Sequence, residues 1–487
     1  MLENGTPRGV DKTVQRRRFS RREFLIASTT TVALAGCGVD TAAQVPRNNF
    51  TIDSLIGTSP FYIAHRGSGD NWPEHTALAY SSAIEFGVKA IEISVCATSD
   101  GVLVCHHDTN TLQLTGHDLE ISKQTYAVIS ELRNDARQWL GPASLPQPIS
   151  KLEDVLDAYA GTHVIFIEDK QATNTKSLLD LMDRYPDSTS HFVWKQPASS
   201  TTRVEAAARG YKTWGYFLNG SSATYTKYAP NFDFLGLYHA ATDAEVTALQ
   251  VFGKPVIVWE VHTRWMRDRL LALGVRGLMC SNIPYVTNDV PLSKSDAFAS
   301  GIRSAGDLPW TINWKLQPKI QPGSSSSRLD DGSDFSYSMG SLCPVSADAY
   351  SIDFEVRWAG VIPQEGGWVG VAFCLRDDRP YLPNVPGASG GYHLLINEAG
   401  RVELYRRDAD GARSVLIASS ETAAPHDGQW MKFSVNVTSG GIRCSRLDNG
   451  QQAIAVADTK YRGGYFMLCK AHDGEQPVEF RSISVVP

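Results

Sequence analysis

The chain is poor in cysteine, in basic charge and in long apolar runs, and each shortage narrows what it can do. Its eight cysteines, Cys37, Cys96, Cys105, Cys280, Cys343, Cys374, Cys444 and Cys469, are scattered and form no Cys-x-x-Cys pair, which argues against a zinc site. The formal net charge is −6. Residues 1–36 carry seven Lys and Arg against three Asp and Glu, so the remainder is more acidic still. That balance implies no basic surface for nucleic acid, and no DNA-binding motif is visible. No apolar run reaches the roughly 20 residues that span a bilayer. No internal repeat is present. What remains is the composition of an ordinary globular protein, 42% hydrophobic and 20% charged, and 487 residues suffice for two or three domains.

Residues 1–37 read as a targeting segment rather than as part of a fold. Arg16 to Arg18 and Arg21-Arg22 form a basic region, the apolar run Phe24 to Gly36 follows, and the run ends in Leu34-Ala35-Gly36-Cys37. Ser20 to Leu25 resembles the twin-arginine export signal, and the last four residues resemble a lipoprotein box. The resemblance implies cleavage before Cys37, lipidation of its thiol, and a membrane-anchored lipoprotein at the cell surface or periplasmic face. The alternative is an ordinary secretory signal with an incidental cysteine. Residues 38–50, small and polar, are expected to tether the fold to the membrane.

From residue 51 to about 300 strand-like runs alternate with helical ones, over the length of a (β/α)8 TIM barrel. Candidate strands include Phe61 to Ala64, Ala90 to Val95, Val164 to Ile167, Phe192 to Lys195, Lys212 to Phe217, Phe234 to Tyr238, Pro255 to Val261 and Gly277 to Cys280. Thr109 to Leu145 fits the alternation poorly and is expected to insert over the barrel mouth. From 301 to 487 helical periodicity gives way to short alternating strands separated by turn residues, the pattern of an all-β jelly roll or sandwich domain. Pro318 to Ser327, with its serine run, reads as a linker or as a loop of that second domain. The order of the later strands resembles the concanavalin/laminin-G-like superfamily, which implies a carbohydrate ligand.

Several polar residues stand at strand ends or just beyond them: His65, Arg66, Glu74, His107, and the strand pairs Glu92/Ser94 and Glu168/Lys170. Strand alternation places i and i+2 on one face, so each pair points together. Taken singly, a histidine after a strand or a Glu-x-Lys is more often structural than functional. Their order resembles the glycerophosphodiester phosphodiesterase family. His65-Arg66-Gly67 matches its HRG, Pro73-Glu74-His75-Thr76 its PENT, and His107-Asp108 its HD. Ile167 to Lys170 matches its Glu-x-Lys strand, and Gly253 to Trp259 and Gly274 to Met279 its last two strands. The resemblance covers residues about 51–300.

That resemblance implies a metal-dependent phosphoric diester hydrolase. His65 would serve as base and His107 as acid. Arg66, Glu74 and Lys170 would bind substrate, and Trp259 would line its pocket or else pack in the core. Ca2+ or Mg2+ would be held by Glu92, Ser94 and Glu168, because carboxylates with open positions suit a hard divalent cation. Ser94 departs from the family's aspartate and removes a negative charge. The outcome is a weaker site, a site completed by water or by another acid such as Asp169 or Glu260, or a dead enzyme. Substrates consistent with this reading are glycerophosphodiesters, phospholipid headgroups and glycerol-phosphate polymers. Two further readings stand beside it: a sphingomyelinase-D-like phospholipase, and a non-catalytic, tethered lectin-like binder with a degenerate metal site. Cys96 and Cys105 read either as barrel-core thiols or as a disulfide.

Overall fold

Near-continuous apolar runs such as Ala90–Ala97 and Val164–Asp169 are buried along their whole length, as strands covered on both faces must be. In the computed structural model eight such strands pair in parallel: β1 (Phe61–Ala64), β2 (Ala90–Ala97), β3 (Val164–Asp169), β4 (Phe192–Pro197), β5 (Lys212–Phe217), β6 (Phe234–Tyr238), β7 (Val256–Val261) and β8 (Gly277–Cys280). The sheet closes because β1 pairs with both β8, Phe61 opposite Gly277, and β2, Ile63 opposite Ala90. The structure describes residues 49–487, apart from 219, 308–316, 331–335, 346, 380, 382–388, 410–413, 451 and 472–475. The predicted signal, with Cys37, and nearly all of the tether lie outside the described residues.

The two faces of each strand build two cores. Ile91, Ile93 and Val95 point outward and pack with Leu152, Val155, Leu178 and Leu179 of the surrounding helices. Ala90, Phe166, Val193, Trp214, Phe234 and Ile257 point inward and fill the barrel. Trp214 fits only because β6 carries Gly236 beside it: a Cβ there would sit 2.5 Å from the indole Nε1. The polar residues Glu92, Glu168 and Lys195 share the inward parity of Ala90, Phe166 and Val193, one step nearer the carboxyl ends of the strands. In barrels of this type that end carries the chemistry.

The segment expected to cover the mouth does so. Asn134 donates to the Glu74 carbonyl (3.0 Å) and Trp139 Nε1 to the Gly69 carbonyl (3.0 Å), tying it to the loop after β1. Seven described cysteines are free and buried, so Cys96 and Cys105 are core thiols, not a disulfide.

The C-terminal part consists of two antiparallel sheets, of seven and six strands, over one shared apolar core. Tyr350–Trp358, Trp368–Leu375, Gly441–Arg446 and Tyr465–Lys470 are among their strands. The serine-rich stretch is no linker. Lys319–Gln321 pairs with Ser326–Arg328 as a hairpin of the seven-stranded sheet, and Ser326 reaches the buried Glu479 carboxylate (3.3 Å). Serine hydroxyls finding an acceptor inside the sheet explain why polar composition misled there.

Barrel and sheets meet through a buried carboxylate. Asp378, between sheet strands, accepts the backbone N–H of Arg264 (2.7 Å) and Trp265 (2.9 Å) and the Tyr285 hydroxyl (2.8 Å). The two amides open α2 (Arg264–Ala272), the helix that follows β7, so a charge from the second part sits at a helix N-terminus of the first. Asp378→Ala should lower unfolding free energy by about 3 kcal/mol, since each buried donor left without its acceptor costs roughly 1–3 kcal/mol. Urea unfolding followed by fluorescence measures this, and a change within error would mean that water replaces the carboxylate.

Candidate active site

β1 ends in a tight 3-10 turn, His65–Gly67, whose backbone needs left-handed conformations at Arg66 (φ 53°) and Gly67 (φ 77°). Any side chain at 67 would also meet the Ala79 Cβ at 2.8 Å. The turn aims the Arg66 N–H at Glu92 Oε2 (2.9 Å) and its guanidinium at both oxygens of Glu74 (3.1 and 3.2 Å). Pro73-Glu74-His75-Thr76 then serves three local ends. Glu74 pairs with Arg66. The His75 ring meets the Tyr80 hydroxyl at 2.8 Å. Thr76 caps α1 (Ala77–Glu85) by accepting the Ala79 N–H.

A cavity of about 230 Å³ opens at the carboxyl ends of the strands, and His65, Arg66, Glu74 and His107 all line it. His65 Nδ1 lies 3.0 Å from the Ser281 hydroxyl. Burial pushes its ring down to about 3, against the pull of Glu260 nearby. His107 Nδ1 lies 2.7 Å from the Asp108 carboxylate, which orients the ring. Burial, with help from Arg66, lowers His107 to about 4, so both imidazoles are neutral at pH 7. Neutral rings can take a proton, and one that has taken it can return it to a leaving oxygen.

Three further residues line the cavity: Glu260, which the sequence offered only as an alternative metal ligand, and Asp70 and His262, to which it assigned no role. His262 sits between two carboxylates, Nδ1 2.6 Å from Asp70 and Nε2 3.3 Å from Glu260. Burial opposes its charge, but Asp70 and Glu260 outweigh it and lift the ring to about 10. Glu260 in turn is held below the usual carboxylate range: burial works against this, and His262, His65 and Arg66 prevail. Strict alternation would place Glu260 outside with Val258. The β7–β8 register slips between Trp259 and Val261, and this irregularity turns Glu260 into the mouth.

The predicted metal set does converge, but around an ammonium. Lys195 of β4, 5% exposed, places its Nζ 2.7 Å from Glu92 Oε1 and 2.8 Å from Glu168 Oε2. Burial disfavours this charge, yet Glu168 and Glu92 hold it above the ordinary lysine range. Ser94 donates to the same Glu92 oxygen (3.1 Å), confirming the shared face. Glu168 Oε1 accepts the Tyr216 hydroxyl (2.7 Å) and lies 3.4 Å from Lys170 Nζ. The residues expected to hold Ca2+ or Mg2+ therefore do not fit a divalent ion: their oxygens are already engaged by a fixed cation and by neutral donors. Among the described residues no group of three or more His, Cys, Asp or Glu is arranged to hold a metal. Asp169 does not complete such a site. It faces away, accepting the backbone N–H of Gln171, Ala172 and Asn174. Trp259 belongs to the apolar core inside the barrel, edge-on to Trp214 and Tyr216, and is no pocket wall.

Residues 65–283 match the family model described as the Glycerophosphoryl diester phosphodiesterase family. These residues form a domain of that family. A glycerophosphodiester phosphodiesterase of Arabidopsis thaliana is 45% identical to this chain over 78 residues, 15% of this chain and 21% of that protein. One of Bacillus subtilis is 33% identical over 116 residues, 22% of this chain and 39% of that protein. The chain thus spans about a fifth and two fifths of the length of these relatives. A solved structure of an Oleispira antarctica phosphodiesterase, in complex with the product sn-glycerol-3-phosphate, superposes with a TM-score of 0.42 at 17% identity, covering 47% of this chain and 96% of that one.

Proposed function

We propose that the chain is an exported phosphodiesterase that hydrolyses glycerophosphodiesters or related glycerol-phosphate and phospholipid-headgroup substrates of the cell envelope. The observation that carries this reading is the convergence of His65, Arg66, Glu74 and His107 on one polar cavity at the barrel mouth, inside a domain of the matching family. Arg66 offers a planar fork suited to phosphate, and its Nε has no hydrogen-bond partner among the described residues. His65 and His107 exchange protons with the attacking and leaving oxygens. The C-terminal sheets, read as a concanavalin-like module, would hold a carbohydrate and so raise the local concentration of surface-bound substrate. Incubation with glycerophosphocholine, glycerophosphoethanolamine and sphingomyelin tests the reading. Release of sn-glycerol 3-phosphate from the first two supports it, cleavage of sphingomyelin alone favours the sphingomyelinase-D-like alternative, and no cleavage of any of them overturns it.

The export reading carries its own prediction. Cys37→Ala in the producing cell should convert a membrane-fractionating protein into a released one, because a single cysteine would carry the anchor. A variant that still pellets with membranes would refute lipidation at this residue.

A further inference from the structure

We propose that Lys195 is a built-in replacement for a divalent cation: its ammonium organises Glu92 and Glu168, and the barrel works without a metal ion. The inference rests on the phosphodiesterase reading for what the site does, though not for what binds in it.

The geometry is that of an occupied cation position. Lys195 Nζ lies 2.7 Å from Glu92 Oε1 and 2.8 Å from Glu168 Oε2, and 5.7 Å from the centroid of the Tyr216 ring, within cation–π range. Three of the four carboxylate oxygens accept a hydrogen bond, and the fourth, Glu168 Oε2, lies against the Lys195 ammonium as an ion pair without one. Glu92 Oε1 faces Lys195 and Ser94, and Glu92 Oε2 takes the Arg66 N–H. Glu168 Oε1 faces Tyr216 and Lys170, and Glu168 Oε2 faces Lys195. A divalent ion takes carboxylate oxygens at about 2.0–2.6 Å and would have to displace the ammonium to do so.

Charge gives the same answer. Two carboxylates are balanced by two ammonium groups, Lys195 and Lys170. Adding a divalent ion would leave the buried cluster with a large positive excess, and an aspartate in place of Ser94 would offset only half of it. Serine at 94 and lysine at 195 are therefore complementary: the neutral hydroxyl keeps the negative charge at what the ammonium groups can neutralise. The consequence for the cavity runs through the backbone. Lys195 fixes Glu92, Glu92 fixes the Arg66 N–H, and the Arg66 side chain is thereby aimed at Glu74 and the cavity. Lys195 is thus a positioning residue.

The full chain should be melted with Ca2+, Mg2+ or Mn2+ at millimolar concentration and with chelator, and the same solutions assayed on glycerophosphocholine. The expected result is an unchanged melting temperature and turnover independent of chelator, since an ion stabilises only as far as it binds the folded state. The double variant Lys195→Met with Ser94→Asp, which exposes three acidic groups to one another, should gain a melting temperature that rises with divalent ion. Its turnover, low in chelator, should be partly restored by the ion. Lys195→Met alone should lose turnover, and Lys195→Arg should recover part of it. A parent whose melting temperature climbs by several degrees with one divalent ion, or whose turnover vanishes in chelator and returns with that ion, overturns the proposal. The parent melts decide the matter even if the variants do not fold. A parent that cleaves no diester under any condition removes the phosphodiesterase reading, while its melts still tell whether a cation binds.

Discussion

His65→Ala and His107→Ala are each expected to lower turnover of a glycerophosphodiester at least ~100-fold, the usual loss when a general acid or base is removed. The expectation follows from placement. Both rings line the same cavity, each is held through Nδ1, and each lies just beyond a strand, where the barrel framework supports it. The effect should fall on kcat rather than KM, because Arg66 remains to bind the phosphate. The resting rings titrate at about 3 and about 4, so the protonated fraction of the acid grows as pH falls from 8 toward 5. The kcat/KM value should therefore rise over that interval and turn over only below it. Steady-state kinetics across pH check both statements. Near-parental turnover at either alanine variant would take that histidine out of the mechanism.

His262→Gln should cost roughly 3–5 kcal/mol of stability, the range seen when one partner of a buried ion pair is removed. Glutamine keeps a hydrogen-bonding side chain but leaves Asp70 and Glu260 facing each other without a cation between them. The pH dependence separates this from a packing defect. Folded His262 titrates near 10, against about 6.5 in an unfolded chain. A raised histidine contributes fully below pH 6.5 and is lost as pH rises through 10. Glu260 is depressed instead, so its share is present above the unfolded carboxylate value and is lost as pH falls through its folded one. The parent should thus lose melting temperature steadily between pH 7 and 10, and the variant should be flatter over that range. Parallel profiles would mean that the ring is not the cation of this cluster.

The sequence made the barrel legible because its strands are buried on both faces and announce themselves as apolar runs. Alternation within them also paired Glu92 with Ser94, and that pair is in contact. The same alternation contained Lys195, which closes the predicted strand Phe192 to Lys195 in phase with the inward Val193. A lysine at the end of such a run reads as a strand terminus reaching solvent, and only the neighbouring strands reveal two carboxylates opposite it. Glu260 could be named from the sequence only as an alternative acid, since the slip in β7 breaks the alternation from which its direction would be read. Asp70 and His262 meet across 192 residues, a pairing no local pattern carries. In the C-terminal sheets the apolar alternating strands were readable, whereas Ser326–Leu329 and Ser336–Ser338 were masked by serine.

Asp378 also bears on the order in which the protein can be made. The amides at the head of α2 find their acceptor 114 positions further along the chain. A ribosome adding roughly 5–20 residues per second takes about 6–23 s to supply it. β8 is completed early in that interval, so every barrel strand is synthesised before the helix after β7 gains its carboxylate. The contact that holds the head of this helix, just after Glu260 and His262, thus becomes available only after the whole barrel sequence has been made.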